Sequence, residues 1–338
     1  MLMHANFPLP ASVETRKNIF HPAPLATLRP DMGASFELYL GLPGRGGVRY
    51  LLYKSADIEF TDKKRRELIE NGVKTLYVRD EEASEYYTYV DRTVGQVLAS
   101  DKISPAEKSA VLYETSQSLI KSTFERPESP LIMSANKKVV AHTVSSITAE
   151  PVMLRTMVSL FSYDYSLFSH SVHVSVLGTG LALETESWSP DEVRDIAMGF
   201  LLHDIGKSRV SPDILRKPGM LSPFEIRQIE RHPELGVDLM SQHPGIRPQA
   251  IEIIRNHHER LDGSGYPHHL PSQAIPLESR ICSVADVFDA FTSHRVYKPA
   301  MTGYEALRTI LGKMMHELDD EIVHLLIHRL GPNAGRMV

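Results

Sequence analysis

Residues 199–207 read GFLLHDIGK and place a histidine and an aspartate at the end of an apolar run. The run predicts a buried helix, so the pair His203 and Asp204 is expected to lie in the protein interior. Burying two such polar groups costs free energy unless a partner satisfies them. A divalent cation is one such partner, because imidazole nitrogen binds transition metals and a carboxylate can bridge two ions. For the dipeptide alone, a hydrogen-bonded core pair is the simpler interpretation.

A lysine follows this pair at a spacing that leaves two interpretations open. Lys207 lies four residues after His203 and would share its face if the helix continued. Gly206 favours the alternative, in which the helix has already ended. A lysine beside a metal site would suit a phosphate oxygen.

Four further stretches carry side chains of the same chemistry. They are FSHSVHV with His170, RHPELG with His232, HHERLDGSGYP with His257 and His258, and VADVFDA with Asp286. Taken singly, each has an ordinary structural interpretation, such as a helix end, a cap or a surface side chain. Together, five helical segments offer five imidazoles and two carboxylates. That set is enough to hold two metal ions and to leave positions for water.

Composition narrows the class of protein. A chain of 338 residues suggests two domains, and its net charge of −5 gives no sign of duplex nucleic-acid binding. An anionic substrate would therefore need cations placed locally. Cys282 is the single cysteine, which excludes an intrachain disulfide and favours the cytoplasm. The sequence shows neither a signal peptide nor an apolar run long enough for a membrane span.

The order of patterns predicts a mainly α protein with a small N-terminal α+β domain. SFELYLGL and VRYLLYKS, joined by PGRGG, predict a β-hairpin. The segment 60–73 predicts a helix capped by Thr61 or Asp62, with Leu68 and Ile69 on its apolar face. We therefore expect an α+β domain over residues 1–90, a helical connector over 91–150, and an all-helical domain over 151–338.

The motifs of the C-terminal region resemble the HD-GYP branch of the HD-domain phosphohydrolases. HDIGK is followed, in order, by PDILRKPGMLSPFE, RHPELG, HHERLDGSGYP, IPLESRICSVADVFDAFTSHRVYKPA and EAL, so the likeness covers roughly residues 160–315. The resemblance implies an all-helical HD-type bundle. It also implies a bacterial enzyme that hydrolyses the second messenger cyclic di-GMP at a binuclear or trinuclear centre of iron or manganese.

The resemblance also implies a role for individual residues. The metal ligands would be His170, His203, Asp204, His232, His257, His258 and Asp286. Asp204 would bridge the ions, and Lys207 would contact the scissile phosphate. Arg295 and Lys298 would bind further substrate phosphate oxygens, and Asp289 would orient a ligand histidine. Gly263, Gly265 and Tyr266 would form the GYP loop, which shapes the substrate pocket or meets partner proteins.

One departure from the family pattern bears on the number of metal ions. Trinuclear members carry a glutamate four residues before the first histidine, where this chain has Ser166. Asp164 lies six residues before His170 and would share its helical face less well. We therefore expect two divalent ions, with iron as the first choice and manganese as the alternative.

The predicted activity is hydrolysis of cyclic di-GMP to linear pGpG, with further cleavage to GMP left open. Two alternatives remain: a metal-loaded cyclic di-GMP receptor with little turnover, and an interaction module that docks diguanylate cyclases (GGDEF proteins) through the GYP loop. The N-terminal domain carries no recognisable chemistry, and a regulatory or dimerising role is expected. The connector fits either a homodimer or packing within one chain. No P-loop, nucleophile elbow or Rossmann fingerprint is visible.

Overall fold

The computed structural model describes residues 19–44, 47–161, 166–293 and 300–330. Contacts divide the chain into two compact units, residues 1–100 and 101–338. The expected mainly α fold with a small N-terminal sheet is confirmed. The predicted boundaries at residues 90 and 150 stay a prediction.

The N-terminal unit is built on a four-stranded antiparallel sheet. Its elements are β1 (Phe20–Pro24), β2 (Leu38–Gly44), β3 (Gly47–Lys54), α1 (Asp62–Glu70), β4 (Thr75–Arg79) and α2 (Ala83–Ala99). The sheet order is β1-β4-β2-β3, and β2 pairs with β3 as the predicted hairpin. Alternate residues of β4, Leu76 and Val78, are fully buried, as expected for a sheet with one face against a core.

Helix α1 follows the predicted capping pattern but not the whole predicted apolar face. The Thr61 side chain accepts a hydrogen bond from the amide of Lys64, and the helix ends at Asn71 before Gly72 with φ of 74°. Leu68 is buried, whereas Ile69 is 50% exposed. The prediction for Ile69 was wrong because consecutive residues of a helix point about 100° apart, so both cannot face a narrow contact.

The C-terminal unit is helical throughout its described part. Its α-helices are α3 (Pro105–Glu125), α4 (Pro130–Ala149), α5 (Val152–Val158), α6 (Leu167–Glu184), α7 (Pro190–Leu202), α8 (Pro212–Leu215), α9 (Pro223–Ile229), α10 (His232–Met240), α11 (Pro248–Asn256), α12 (Leu277–Thr292), α13 (Gly303–Lys313) and α14 (Asp320–Leu330). A 3₁₀ helix spans Ile205–Arg209 between α7 and α8. None of the described helices has the length and apolarity to cross a bilayer.

Close helix packing brings together the chain segments that carry the candidate ligands. Gly178 of α6 lies against the ring of Phe200 on α7, at a distance that leaves no room for a Cβ. Gly199 of α7 lies equally close to Ala250 and Ile253 of α11. Small residues at these crossings let α7 sit between α6 and α11. The C-terminal end of α7, where His203 and Asp204 follow, is thereby held inside the bundle.

Candidate metal centre

The seven predicted ligands lie together in one buried cluster. The candidate ligands of this cluster form two groups. Site A consists of Asp204, His232, His257 and His258, and site B consists of His170, His203 and Asp286. Within each group the candidate ligand atoms lie within 4.8 Å of one another. The side chains come from five parts of the chain, as the sequence interpretation expected.

A close backbone approach places two of these segments side by side. Helix α7 ends at Leu202, so Lys207 does not lie on a continuing helix with His203 but on the 3₁₀ segment. In that segment, a Cβ on Gly206 would overlap the carbonyl of His232 and the amide of Gly236. Glycine therefore allows the HDIGK segment to lie against the start of α10, next to His232.

Hydrogen bonds from the Nδ1 atoms fix how three of the imidazoles face the cluster. The Nδ1 atoms of His203, His232 and His257 lie 2.8, 2.8 and 3.0 Å from backbone carbonyls of the preceding turn. A carbonyl oxygen only accepts, so each Nδ1 carries the proton and each Nε2 presents a lone pair. This arrangement is typical of histidines that bind a metal through Nε2.

These lone pairs face one another at short range. Nε2 of His232 lies 3.1 Å from Nε2 of His257, and Nε2 of His203 lies 3.3 Å from Nε2 of His170. Two acceptors cannot form a hydrogen bond with each other. Oδ1 of Asp204 is also buried without a donor, because the nearby Nε2 of His232 at 3.2 Å offers only a lone pair. A cation satisfies all these groups, so the cluster fits divalent metal binding.

Both carboxylates extend across the two sites. Oδ1 of Asp204 faces His232 and His257 at 3.2 and 3.9 Å, while Oδ2 faces His203 and His170 at 3.5 and 3.6 Å. Asp286 lies 3.2 Å from Nε2 of His170 through Oδ1 and 3.7 Å from Nδ1 of His258 through Oδ2. Such placement suits carboxylates that bridge neighbouring ions.

Burial and mutual charge set the protonation state of the cluster. Burial alone would raise the pKa of Asp204, but the ammonium of Lys207, 2.6 Å from Oδ2, holds that pKa well below its usual range. Burial and the nearby imidazoles lower the pKa of His257 and of His258 well below the usual value. At neutral pH the carboxylates are therefore charged and these imidazoles neutral, as metal ligands must be.

Behind the cluster, Asp289 of α12 contacts two histidines. Its Oδ2 lies 2.7 Å from Nδ1 of His170, the contact that the sequence interpretation expected for an orienting carboxylate. Its Oδ1 lies 2.6 Å from Nδ1 of His173, which that interpretation did not assign. The available signal was the spacing, since residues three apart share a helical face and His173 follows His170 by three.

The GYP loop covers one edge of site A. The Tyr266 ring stacks on His258 with centroids 4.6 Å apart. A Cβ on Gly265 would overlap the backbone of Arg260 and Glu259, so glycine is needed for this fold of the loop. Sequence reasoning missed Glu259, whose buried carboxylate accepts the amides of His268 and Leu270 at 2.7 and 3.0 Å.

The structure describes Ser166 but not three other residues that the sequence singled out. Arg295, Lys298 and Asp164 lie outside the described residues. Ser166 lies at the N-cap of α6, where its hydroxyl accepts the amide of Ser169.

Comparison with known proteins gives a consistent family likeness. A model of the HD domain matches residues 161–322. The cyclic di-GMP phosphodiesterase response regulator RpfG of Xanthomonas campestris pv. campestris is 44% identical over 44% of this chain and 39% of its own length. The cyclic di-GMP phosphodiesterase PA4108 of Pseudomonas aeruginosa is 35% identical over 55% of this chain and 45% of its own. The matches thus span less than half of either relative.

The fold has a counterpart among solved structures. Bd1817, an HDG"Y"P protein from Bdellovibrio bacteriovorus, aligns with a TM-score of 0.70 over 92% of this chain and 99% of that one. The two sequences are 19% identical, so this likeness concerns the fold alone.

Proposed function

We propose that residues 161–322, which match the HD-domain model, form a domain of the HD-GYP branch, and that the chain hydrolyses cyclic di-GMP to linear pGpG. One observation carries the proposal: imidazole lone pairs that face one another within 3.3 Å, beside two carboxylates that extend across both sites. This donor set suits a pair of divalent ions, and two proteins similar to this chain are named for this substrate.

The metal ligands in this proposal are the residues of sites A and B. When held by these residues, two divalent ions would supply an activated water as nucleophile and would neutralise charge on the phosphate. We expect iron, with manganese as the alternative, because neutral imidazole and carboxylate suit both. The Ser166 hydroxyl is engaged in capping α6, which supports two ions rather than three.

The chain's own side chains would bind the phosphate and hold it in place. Asp204 keeps its negative charge between the sites, and Lys207 holds its ammonium 2.6 Å from that carboxylate. From this position Lys207 would donate to a nonbridging oxygen, where negative charge accumulates in the transition state. Tyr266 and Gly265 would form one wall of the substrate pocket, and Arg295 and Lys298 would supply further cations.

The test is a turnover assay on anaerobically purified full chain loaded with Fe(II) or Mn(II). We expect conversion of cyclic di-GMP to pGpG, with GMP as a later product if cleavage continues. The substrate 3'3'-cGAMP is assayed beside it, because several relatives are named as phosphodiesterases specific for it. Asp204→Ala should lose both metal and turnover.

The outcomes separate the proposal from its alternatives. Tight binding of cyclic di-GMP without product would favour a receptor instead. Near-normal turnover by Asp204→Ala would contradict the metal assignment. Docking of a diguanylate cyclase on the GYP loop, a homodimer and a cytoplasmic location stay predictions.

A further inference from the structure

A chain of buried hydrogen bonds runs from helix α3 to the cluster. Oη of Tyr113 lies 2.7 Å from Nε2 of His173, and Nδ1 of His173 lies 2.6 Å from Oδ1 of Asp289. Oδ2 of Asp289 lies 2.7 Å from Nδ1 of His170, a residue of site B. All four side chains are at least nine-tenths buried.

The donors and acceptors along this chain have one consistent order. Asp289 accepts from both histidines, because an ionised carboxylate has no proton to donate. In the tautomer with its proton on Nδ1, His173 presents a lone pair at Nε2, and the Tyr113 hydroxyl donates to it. His170 likewise carries its proton on Nδ1, which leaves its Nε2 lone pair for a metal ion.

Aromatic packing fixes the plane of the His173 ring. The Phe161 ring stacks on His173 with centroids 3.9 Å apart and planes 13° apart. The Tyr113 ring lies nearly parallel to it at 5.7 Å. Because the ring plane is held, the hydrogen bond from Tyr113 decides mainly the tautomer and the rotation of the imidazole within that plane.

We propose that Tyr113 and His173 are positioning residues that hold the His170 imidazole of site B in place through Asp289. This inference rests on the proposed metal centre. It extends that centre beyond residues 161–322, because Tyr113 belongs to α3, which precedes the HD-domain match. Loss of the Tyr113 hydroxyl leaves a buried nitrogen of His173 without a donor. The imidazole can then turn, and Asp289, then held from its Oδ2 side by the Ser293 hydroxyl at 3.1 Å and by His170, orients His170 less firmly.

The experiment is a Mn(II) titration of the full chain, followed by the EPR signal of free Mn(II). Tyr113→Phe keeps the ring stack and removes only the hydroxyl. Mutating hydrogen-bond partners behind the metal ligands typically lowers metal affinity by about 10–100-fold. We therefore expect Tyr113→Phe to weaken the binding of one of two Mn(II) ions by about tenfold and to leave the binding of the other unchanged. A general loss of structure would weaken both ions together.

A matched control is available in the N-terminal unit. Oη of Tyr87 lies 2.7 Å from Nδ1 of His21, so Tyr87→Phe removes a buried tyrosine–histidine hydrogen bond of the same length. We expect Tyr87→Phe to leave both Mn(II) affinities unchanged. Equal effects of the two variants on Mn(II) binding would overturn the proposed role of Tyr113.

A second variant tests whether Tyr113 acts through His173. In His173→Asn the side-chain amide nitrogen can still donate to Asp289, but the variant has no Nε2 to accept the hydrogen bond of the Tyr113 hydroxyl. We expect His173→Asn to weaken the same Mn(II) ion, and Tyr113→Phe to add nothing on that background. Additive effects of the two substitutions would show that Tyr113 does not act through His173 and would overturn the proposal. Failure of the wild-type chain to bind either Mn(II) or Fe(II) would instead reject the metal centre itself, and the proposed role of Tyr113 with it.

Discussion

The histidines of the metal centre are oriented by the ring nitrogen that faces away from it. His203, His232 and His257 each donate Nδ1–H to a carbonyl of their own preceding turn, so the Nε2 lone pair is directed inward. The local helical geometry thus provides the second partner that a ligand histidine needs. Asp289 does the same for His170 from another helix.

The role of the single residue Lys207 can be tested separately from metal binding. Lys207→Met removes the ammonium bonded to Asp204 but none of the candidate ligands. Removing one donor to a developing charge costs about 10²–10³ in rate. We therefore expect turnover to fall about 100-fold while Mn(II) content stays near that of the wild type, as measured by product assay and metal analysis.

Lys217→Met is the matched control, because Lys217 binds Glu225 on α9 rather than a residue of the cluster. It should retain near-normal turnover. Loss of metal in Lys207→Met would show that this lysine maintains the ligands rather than binding phosphate.

Sequence reasoning identified the cluster residues because each belongs to a motif with a recognisable chemistry. His203 and Asp204 end an apolar run, and His257 and His258 precede a glycine-rich turn. It could not find Tyr113, whose partner His173 lies 60 positions away in the sequence. A tyrosine within an amphipathic helix carries no signal that separates a core residue from a hydrogen-bond donor.

At the scale of elements, close approach of backbones decides where the ligands lie. Gly206→Ala places a methyl group against the carbonyl of His232 and the amide of Gly236. Forcing extra volume into such a contact typically costs about 1–3 kcal/mol. We expect lower stability in urea unfolding and reduced Mn(II) content, because His232 must move with the start of α10.

Gly312→Ala provides the control for this effect. Gly312 lies in α13 with no heavy atom within 4 Å of an added Cβ. Alanine is the better helix former by about 0.5–1 kcal/mol, so this variant should be as stable as the wild type or more so. Equal stability of Gly206→Ala would contradict the close approach.

The GYP loop is a second element whose position depends on one side chain. Glu259→Gln replaces a carboxylate that accepts two backbone amides with a group that can accept through one atom only. A buried donor left unpaired costs about 1–3 kcal/mol. We expect lower stability and faster proteolysis within residues 266–270, together with weaker substrate binding because Tyr266 is less firmly held.

Asp262→Asn, in the same turn, is the comparison. Asp262 is exposed and accepts from the amide and hydroxyl of Ser264, bonds that water can replace. Its substitution should change protease sensitivity little. If both variants were cleaved equally fast, the hydrogen bonds of the buried Glu259 carboxylate would not be what protects the loop from proteolysis.

Sequence patterns predicted the elements well where turn or capping residues mark their ends, as in the β2–β3 hairpin and the capped α1. They failed where an apolar residue lies beside the buried stripe, as for Ile69. The end of α7 before Lys207 was left open because glycine after a helix can either end it or continue it.

For the whole molecule, the two compact units imply that unfolding need not follow a single transition. The one tryptophan of the chain, Trp188, lies in the C-terminal unit between α6 and α7. Its fluorescence therefore follows that unit alone. Because a ligand that binds only the folded state stabilises it by mass action, Mn(II) should raise the melting temperature of this transition.

The pH dependence of this transition follows from the shifted pKa values. Burial and neighbouring imidazoles lower the pKa of His257 and His258 well below the ordinary 6.5, so below that pH the unfolded chain binds protons that the folded chain does not. The metal-free C-terminal unit should thus lose stability as pH falls from about 7.5 to about 5.5, a window set by the unfolded histidine value.

In the folded unit, metal and protons compete for the imidazoles of His257 and His258 only below their lowered pKa values, which gives the last prediction. The rise in melting temperature caused by Mn(II) should persist at about pH 5.5, because the lowered pKa values of His257 and His258 keep these ligands neutral there in the folded unit. Asp204→Asn should abolish the rise at both pH values, since it removes the charge shared by sites A and B. Loss of the Mn(II) effect already at about pH 6.5 would show that its ligands titrate as ordinary exposed histidines do and are not these buried ones.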